Sequence, residues 1–479
     1  MISIEDLNPY YLPNDERASV DFSVKVNGKP VFVYMARVSA VPLNQIWPGY
    51  QRPLDQTEIA SFTYWDMDAP VSVEVTSEKP IDKVTVRPLS CGIKPEVKGG
   101  RILFEMASPK HITVEVNGKY NALHLFINPV EEFDVDRDDK KVRYYGPGVH
   151  KAGKIVMNSG EIVFIDDGAI VHGVIEARHA SGIRILGRGI LDTSTFKREE
   201  AEASISLYKC NDVVMDGIII RDPNLWTIVP AACSGVRIHN VKLIGLWRYN
   251  TDGIDIVNSQ HVRIEKCFIR SFDDSIAIKG MKCWPWEKPG DITDDEDVRD
   301  IHVEDCVIWN DWGRSLEIGA ETCAQEMSHI RFCNCDIIHT THIALDIQHS
   351  DRAAIRDVGY EDIRVEMDEH LLRPVWQQFY DEKFVFRPED SFSPQLLFIG
   401  IGRGWWGQDN DRGSIWNVYL KNIAITAKFS PESILYGSDE SHIIDGVTFE
   451  NLKINGKMVK SKEEGFLKVG GFVDNVRFY

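Results

Sequence analysis

An all-β chain, with an N-terminal β-sandwich over residues 1–140 and a right-handed parallel β-helix over residues 141–479, is predicted by three observations. Residues alternate apolar and polar with period two early in the chain, a short consensus line recurs later at uneven intervals, and helical periodicity is nearly absent.

Length and composition agree with that division. At 479 residues the chain exceeds the usual single-domain size, and 43% hydrophobic with 27% charged residues is the balance of an ordinary folded protein. The 54 basic and 73 acidic residues leave a formal charge of −19, which repels phosphate backbones and anionic lipid surfaces. Neither nucleic acid nor a membrane is an expected partner, and no run approaches the length of a membrane span. The start, Met1-Ile-Ser-Ile-Glu-Asp-Leu7, lacks the basic and apolar regions of a secretory signal. Nine scattered cysteines, of which only Cys333 and Cys335 are close neighbours, show neither a disulfide framework nor zinc spacing. The expectation is a cytoplasmic setting, or a secreted one if a signal has been removed, with no metal and no cofactor.

From about Ala18 to Asn128 the pattern is that of short antiparallel strands. Val24-Lys-Val26 closes onto Asn27-Gly28, a tight-hairpin signal, and Val31-Phe-Val33-Tyr-Met35 follows. Further strands are expected at 71–75, 83–86, 102–106, 112–116 and 122–127. The charged stretch from Glu131 to Arg143 reads as a linker leading to Tyr144-Tyr-Gly-Pro-Gly148.

Beyond it one line recurs: Ser181-Gly-Ile, Asn211-Asp-Val, Ser234-Gly-Val, Gln260-His-Val, Ser328-His-Ile, Trp416-Asn-Val and Asp474-Asn-Val. Its apolar positions Ile183, Val213, Val236 and Val262 are 30, 23 and 26 residues apart, which suits stacked coils with loops of unequal length. A second β-sandwich would give no such in-phase line. Met281 to Asp300 and Asp368 to Arg412 interrupt the rhythm and read as long loops beside a cleft. Their tryptophans, Trp284, Trp376, Trp405 and Trp406, could stack on sugar rings or simply pack.

The chemistry concentrates in Asn250-Thr-Asp252-Gly-Ile-Asp255 and Asp273-Asp274-Ser-Ile-Ala-Ile-Lys279. Asp252 and Asp273 are 21 residues apart, about one coil, so their carboxylates should lie one inter-strand step from each other. Crowded carboxylates raise at least one pKa, which lets one hold a proton while another stays ionised, the pairing that glycosidic cleavage needs. A calcium site or a polar ladder is the alternative reading of such a cluster.

These motifs resemble the signature of the polygalacturonase family, glycoside hydrolase family 28, over about Ser181 to Asp357. The domain plan is similar to that of the dextranase and isopullulanase family, glycoside hydrolase family 49. The resemblance implies an inverting hydrolase in which Asp273 is the general acid, while Asp252 and Asp274 position and deprotonate water. The pattern departs from polygalacturonases one coil later. Their Gly-His-Gly line corresponds to Gly313-Arg314-Ser-Leu-Glu317-Ile-Gly319, and their Arg-Ile-Lys line, which grips a uronate, to Ala344-Leu-Asp346-Ile-Gln348-His349. Losing that charge-assisted clamp favours a neutral, dextranase-like α-glucan over a galacturonide, although Arg314 could bind a carboxylate from a new direction. Asn250, Lys279, Arg314, Glu317, Asp346, Gln348, His349, Trp284 and Trp405 are the expected substrate-binding residues of an oligo- or polysaccharide site. His342 and His349 could contact substrate but read also as solvated or capped side chains, Trp226 and Trp247 could pack or stack, and Asp255 reads as structural. A polysaccharide lyase and a non-catalytic carbohydrate-binding β-helix are the competing functions.

Overall fold

In a computed structural model the described residues are 16–39, 57–198, 200–282, 297–367, 393–403 and 406–479, and they contain strands but no α-helix. The expectations for Trp284, Trp376 and Trp405 lie outside these residues.

The N-terminal strands form two five-stranded sheets. Asn27 and Gly28, at φ 47° and 77°, make the two-residue turn between Phe22–Val26 and Lys29–Val31, as Asn-Gly predicts. Val24, Val73 and Ile102 of the first sheet share one core with Trp65, Val114 and Leu125 of the second. Two features differ from expectation. Thr57–Met67, an eleven-residue strand, was not foreseen, and Leu123–Pro129 pairs with it in parallel rather than antiparallel fashion. Between them the chain visits the opposite sheet as Val71–Ser77 and Arg101–Met106 and this sheet as Val84–Arg87 and His111–Val116, so it crosses over more than once before returning in the same direction.

From Val142 onward every coil contributes strands to large parallel sheets. The first strand, Val142–Tyr145, begins inside the stretch expected to be linker. One sheet stacks the recurring line in register: Ile183, Val213, Val236, Val262, Ile301, Ile330, Val358, Val418, Val447 and Val476 form a single inward ladder. The small or polar residue before each apolar position has a physical role. Gly182, Asp212, Gly235, His261, His329, Asn417 and Asn475 all have φ between 52° and 70°, the left-handed region that Gly, Asn, Asp and His tolerate best.

The remaining strands make two further faces. One, including Ile190–Asp192, Ile219–Arg221, Lys242–Ile244 and Phe268–Ser271, turns apolar side chains outward because the second N-terminal sheet covers it. Tyr34, Phe62 and Phe126 pack there against Ile170, Ile219, Phe268 and Trp309. A buried ion pair crosses the same seam: Arg87, which joins Glu115 of its own sheet at 2.9 Å, also pairs with Glu366 of the coils. The third face stacks Ile228–Ala231, Ile254–Val257, Ile276–Gly280, Arg314–Thr322, Ile343–His349 and Gln395–Ile401. Gln395–Ile401 lies within a stretch expected to be an insertion, so that interruption contains a coil strand.

Inside the third face Ile256, Ile278, Ile318, Ile347, Ile399 and Leu435 form a continuous aliphatic ladder. Each neighbour closes the hole beside the next, so a truncation leaves a cavity that the stacked backbone cannot collapse. Ile278→Ala should lower the free energy of unfolding by about 2–5 kcal/mol in chemical denaturation. Val156→Ala, at a side chain 53% exposed, should stay within about 0.5 kcal/mol of the parent.

Candidate active site

Three successive turns at the edge of the third face stack as tightly as the strands that follow them. Gly253 N donates to Asp274 O at 2.8 Å, Ser275 N to Arg314 O at 2.8 Å, and Gly313 N to Phe272 O at 3.0 Å. Gly253 and Gly313 are required by closeness: a Cβ would fall 2.3 Å from Ser275 O in the first case and 2.6 Å from the Asp273 carbonyl carbon in the second. Fully buried Asn310 donates from Nδ2 to Asp273 O at 2.7 Å and to Arg314 O at 3.1 Å, clamping two of the turns. Thr227 Oγ1 donates to Asp252 O at 2.7 Å. Tyr249, Phe272 and Trp312, one from each turn, form an aromatic stack beside them.

The turns and strands enclose a cavity of about 210 Å³. Asp252, Asp273 and Asp274 line it together, as the one-coil spacing predicts, joined by Asn250, Lys279, Arg314 and Glu317. Asn250 Nδ2 donates to Asp273 Oδ2 at 3.4 Å, and Arg314 N donates to Asp274 Oδ1 at 2.9 Å. Asp346 and Gln348 stand behind the wall: Arg314 Nε lies 3.4 Å from Asp346 Oδ2, which also accepts from Gln348 Nε2 at 3.0 Å. His349 is not on the wall; fully buried, it pairs through Nδ1 with Thr322 Oγ1 at 2.8 Å, and burial pulls its imidazole down to about 3. Trp226 lines the cavity, whereas Trp247 donates from Nε1 to Asp222 Oδ1 at 2.8 Å.

The sequence reading missed several members. Glu321, Tyr249 and Trp312 line the cavity; Trp406, named from the sequence as a residue that could stack on sugar rings, lines it too and is 63% exposed. Asp255, taken as structural, does not line the cavity, yet its fully buried carboxyl has no hydrogen-bond donor among the described residues, lies 3.9 Å from Lys279 Nζ, and its charge acts on Asp252. The signal was present in the strand period, since Asp255 stacks on Ala277, and Ala277 on Glu317.

Burial and crowding separate the carboxyls. Burial, and then the Asp274 charge, push Asp273 up to about 7. Burial and the charges of Asp255, Asp273 and Asp274 hold Asp252 well above the carboxylate range. Burial would raise Asp274 too, but the Arg314 guanidinium and hydrogen bonds from Glu317 and Arg314 N outweigh it and leave Asp274 lowered. The cavity can therefore hold a protonated and an ionised aspartate side by side near neutral pH.

Two other groups among the described residues bring metal-ligand types within 4.8 Å, Cys323 with Asp351 and Asp409, and Glu131 with Asp216 and His239. Asp351 already accepts backbone N–H groups from Thr322, Gln408 and Asp409, and His239 Nδ1 pairs with Asp216 at 2.8 Å. A larger cavity of about 360 Å³ lies between the N-terminal sheets and the first coils. There Arg188 ties Asp66 at 3.1 Å and Glu131 at 3.4 Å.

Residues 190–369 match the profile of glycosyl hydrolases family 28. A curated Aspergillus niger protein named as a galacturan 1,4-alpha-galacturonidase A is 26% identical over 87 residues, 16% of this chain and 20% of that relative. The match thus spans a fifth of the relative's length. Dex49A from Penicillium minioluteum superposes over 98% of this chain and 95% of its own at 15% identity, with a TM-score of 0.58. The Yersinia enterocolitica family 28 exopolygalacturonase covers 85% of this chain and 96% of its own at 12% identity, with a TM-score of 0.47. The site-bearing coils resemble family 28, and the fold as a whole is similar to that of Dex49A.

The raised Asp273 carboxyl carries a stability consequence. The folded state keeps a proton that the unfolded chain, with an ordinary aspartate near 4, releases. Its stabilising contribution is whole below that unfolded value and is lost as pH rises through about 7. Between about pH 5 and 8 the thermal midpoint of the parent should fall more steeply than that of Asp273→Asn, measured by differential scanning calorimetry.

Proposed function

We propose that the protein is a glycoside hydrolase that cleaves O-glycosidic bonds of an oligo- or polysaccharide with inversion, and that it prefers a neutral α-glucan to a galacturonide. The observation that carries this reading is the opposed protonation of two adjacent aspartates, Asp273 raised to about 7 and Asp274 lowered, in one cavity. Asp273 gives its proton to the leaving oxygen. Asp274, ionised, takes a proton from the water that attacks the anomeric carbon, and Asp252 holds that water. The machinery sits on a right-handed parallel β-helix, taken as residues 141–479, with residues 1–140 forming a β-sandwich that buttresses one face.

The substrate preference follows from charge. Among the described residues Lys279 and Arg314 are the cations lining the cavity, and both are already paired there. Lys279 Nζ lies 3.3 Å from Glu321 and 3.9 Å from Asp255, while Arg314 lies 3.4 Å from Asp346 and 3.7 Å from Asp274. A uronate would enter a site whose cations already have carboxylate partners, whereas sugar hydroxyls can donate to the acceptor oxygens of the wall. Trp226, Trp312 and Trp406 offer apolar faces for the rings. The Aspergillus niger relative's name favours the galacturonide reading instead. A lyase would need a free cation to neutralise a uronate, which the paired Lys279 and Arg314 do not supply.

Asp273→Asn should lower kcat by at least about a thousandfold while oligosaccharide binding persists in calorimetry, because a general acid acts only in the transition state. An unchanged rate would remove the assignment. Across a panel, neutral α-glucan oligosaccharides should exceed oligogalacturonides in kcat/KM by about tenfold or more, with reducing ends and no unsaturated products.

A further inference from the structure

Glu317 was expected to contact a sugar hydroxyl, but its surroundings assign it otherwise. It stands one strand beyond Ala277 on the third face and lines the cavity 1% exposed. Its carboxyl shares the cavity wall with that of Asp274, and a side-chain hydrogen bond between the two is among the causes that lower Asp274 and raise Glu317. Two ionised carboxylates have only acceptors, so a bond between them requires a proton on one. Asp274 already accepts Arg314 N at 2.9 Å and has the Arg314 guanidinium at 3.7 Å. Glu317 Oε2, by contrast, has no donor among the described residues. The proton therefore belongs on Glu317.

We infer that Glu317 is a positioning residue: a neutral carboxylic acid whose O–H donates to Asp274, holding that carboxylate ionised and oriented to accept a proton from water. The inference rests on the reading of Asp274 as the base. The charged groups facing Glu317 are Asp274 from the turn below, Arg314 on its own strand, Lys279 on the preceding strand and Asp346 beside it on the next. Tyr360 approaches from the coil interior. Burial, with the Asp274 charge added, raises Glu317 well above the usual carboxylate range, and the two cations oppose without reversing it. As a neutral donor, Glu317 gives Asp274 a hydrogen bond without adding a further negative charge to a cavity already crowded with them.

A glutamine can imitate a protonated glutamate as a donor, and an alanine cannot. The first test needs no substrate: the parent-minus-Glu317→Gln infrared difference spectrum at neutral pH should show the carbonyl stretch of a protonated acid. Carboxylate bands alone would overturn the proposal. The second uses an α-glucan oligosaccharide. Glu317→Gln should keep kcat within about threefold, while Glu317→Ala should lose about tenfold to a hundredfold, as for a lost charge-assisted hydrogen bond. In Glu317→Ala the acidic limb of the kcat/KM profile should move to higher pH, because Asp274 becomes easier to protonate; in Glu317→Gln it should stay. Equal losses in both variants, or an acidic limb unmoved in the alanine variant, would also overturn it. If Asp273→Asn proves fully active, the hydrolase reading falls, yet the infrared result still decides where the proton sits.

Discussion

Parallel register on the third face is the constraint from which the rest of the site follows. Ile254 pairs with Ile276 and Ile276 with Leu316, so the turns just before those strands are brought to the same height on consecutive coils. Inward side chains are aliphatic and interlock, which fixes register against a one-residue slip that would exchange core and cleft. The aspartates ride on that register. Their mutual repulsion is unfavourable, and it is the ladder of Ile256, Ile278, Ile318 and Ile347, together with the backbone bonds between turns, that holds them in place.

Which face became the cleft was decided by which face was covered. The second N-terminal sheet is buried on both sides, against its partner sheet through Trp65 and Leu125 and against the coils through Phe62 and Phe126. Strand His111–Val116 is buried at every residue as a result. The coil face beneath it shows Ile219, Ile244 and Phe268 outward, a pattern that could not face water at such density without association. The third face is mixed outside: beside an apolar patch of Val229, Ala231, Val257 and Trp226 its outward positions include Asp255, Glu317 and Asp346, which need cations, donors or protons to be tolerated in burial.

Those needs are met unequally, and the inequality is the chemistry. Arg314 satisfies Asp274 and Asp346 while Lys279 reaches Glu321 and Asp255, so both cations are spent on holding the wall together. Lys279 also lies 5.4 Å from the Trp226 ring centre. Burial still prevails at Asp255 and Asp346, so these two are raised together with Asp252, Asp273 and Glu317, whereas Asp274 is lowered. A site that shares few protons among many acids has proton donors and acceptors side by side without a metal ion being needed to separate their pKa values.

Much of this was legible in residue order alone. The alternating runs located most N-terminal strands, the recurring line located the coils because a left-handed residue must precede each inward position, and the 21-residue interval brought Asp252 to Asp273. Such signals are local, or repeat once per coil, so they survive in one dimension. The parallel pairing of Thr57–Met67 with Leu123–Pro129, the strand Gln395–Ile401, the inclusion of Glu321 in the wall, the action of Asp255 on Asp252, and the burial of His349 behind the wall were not readable that way. Each depends on what lies across a sheet or on the next coil. The sequence by itself determined that three aspartates meet on stacked turns. Only the tertiary structure decided their protonation, because burial and the placement of Arg314, Lys279 and Glu317 are properties of the assembled coils.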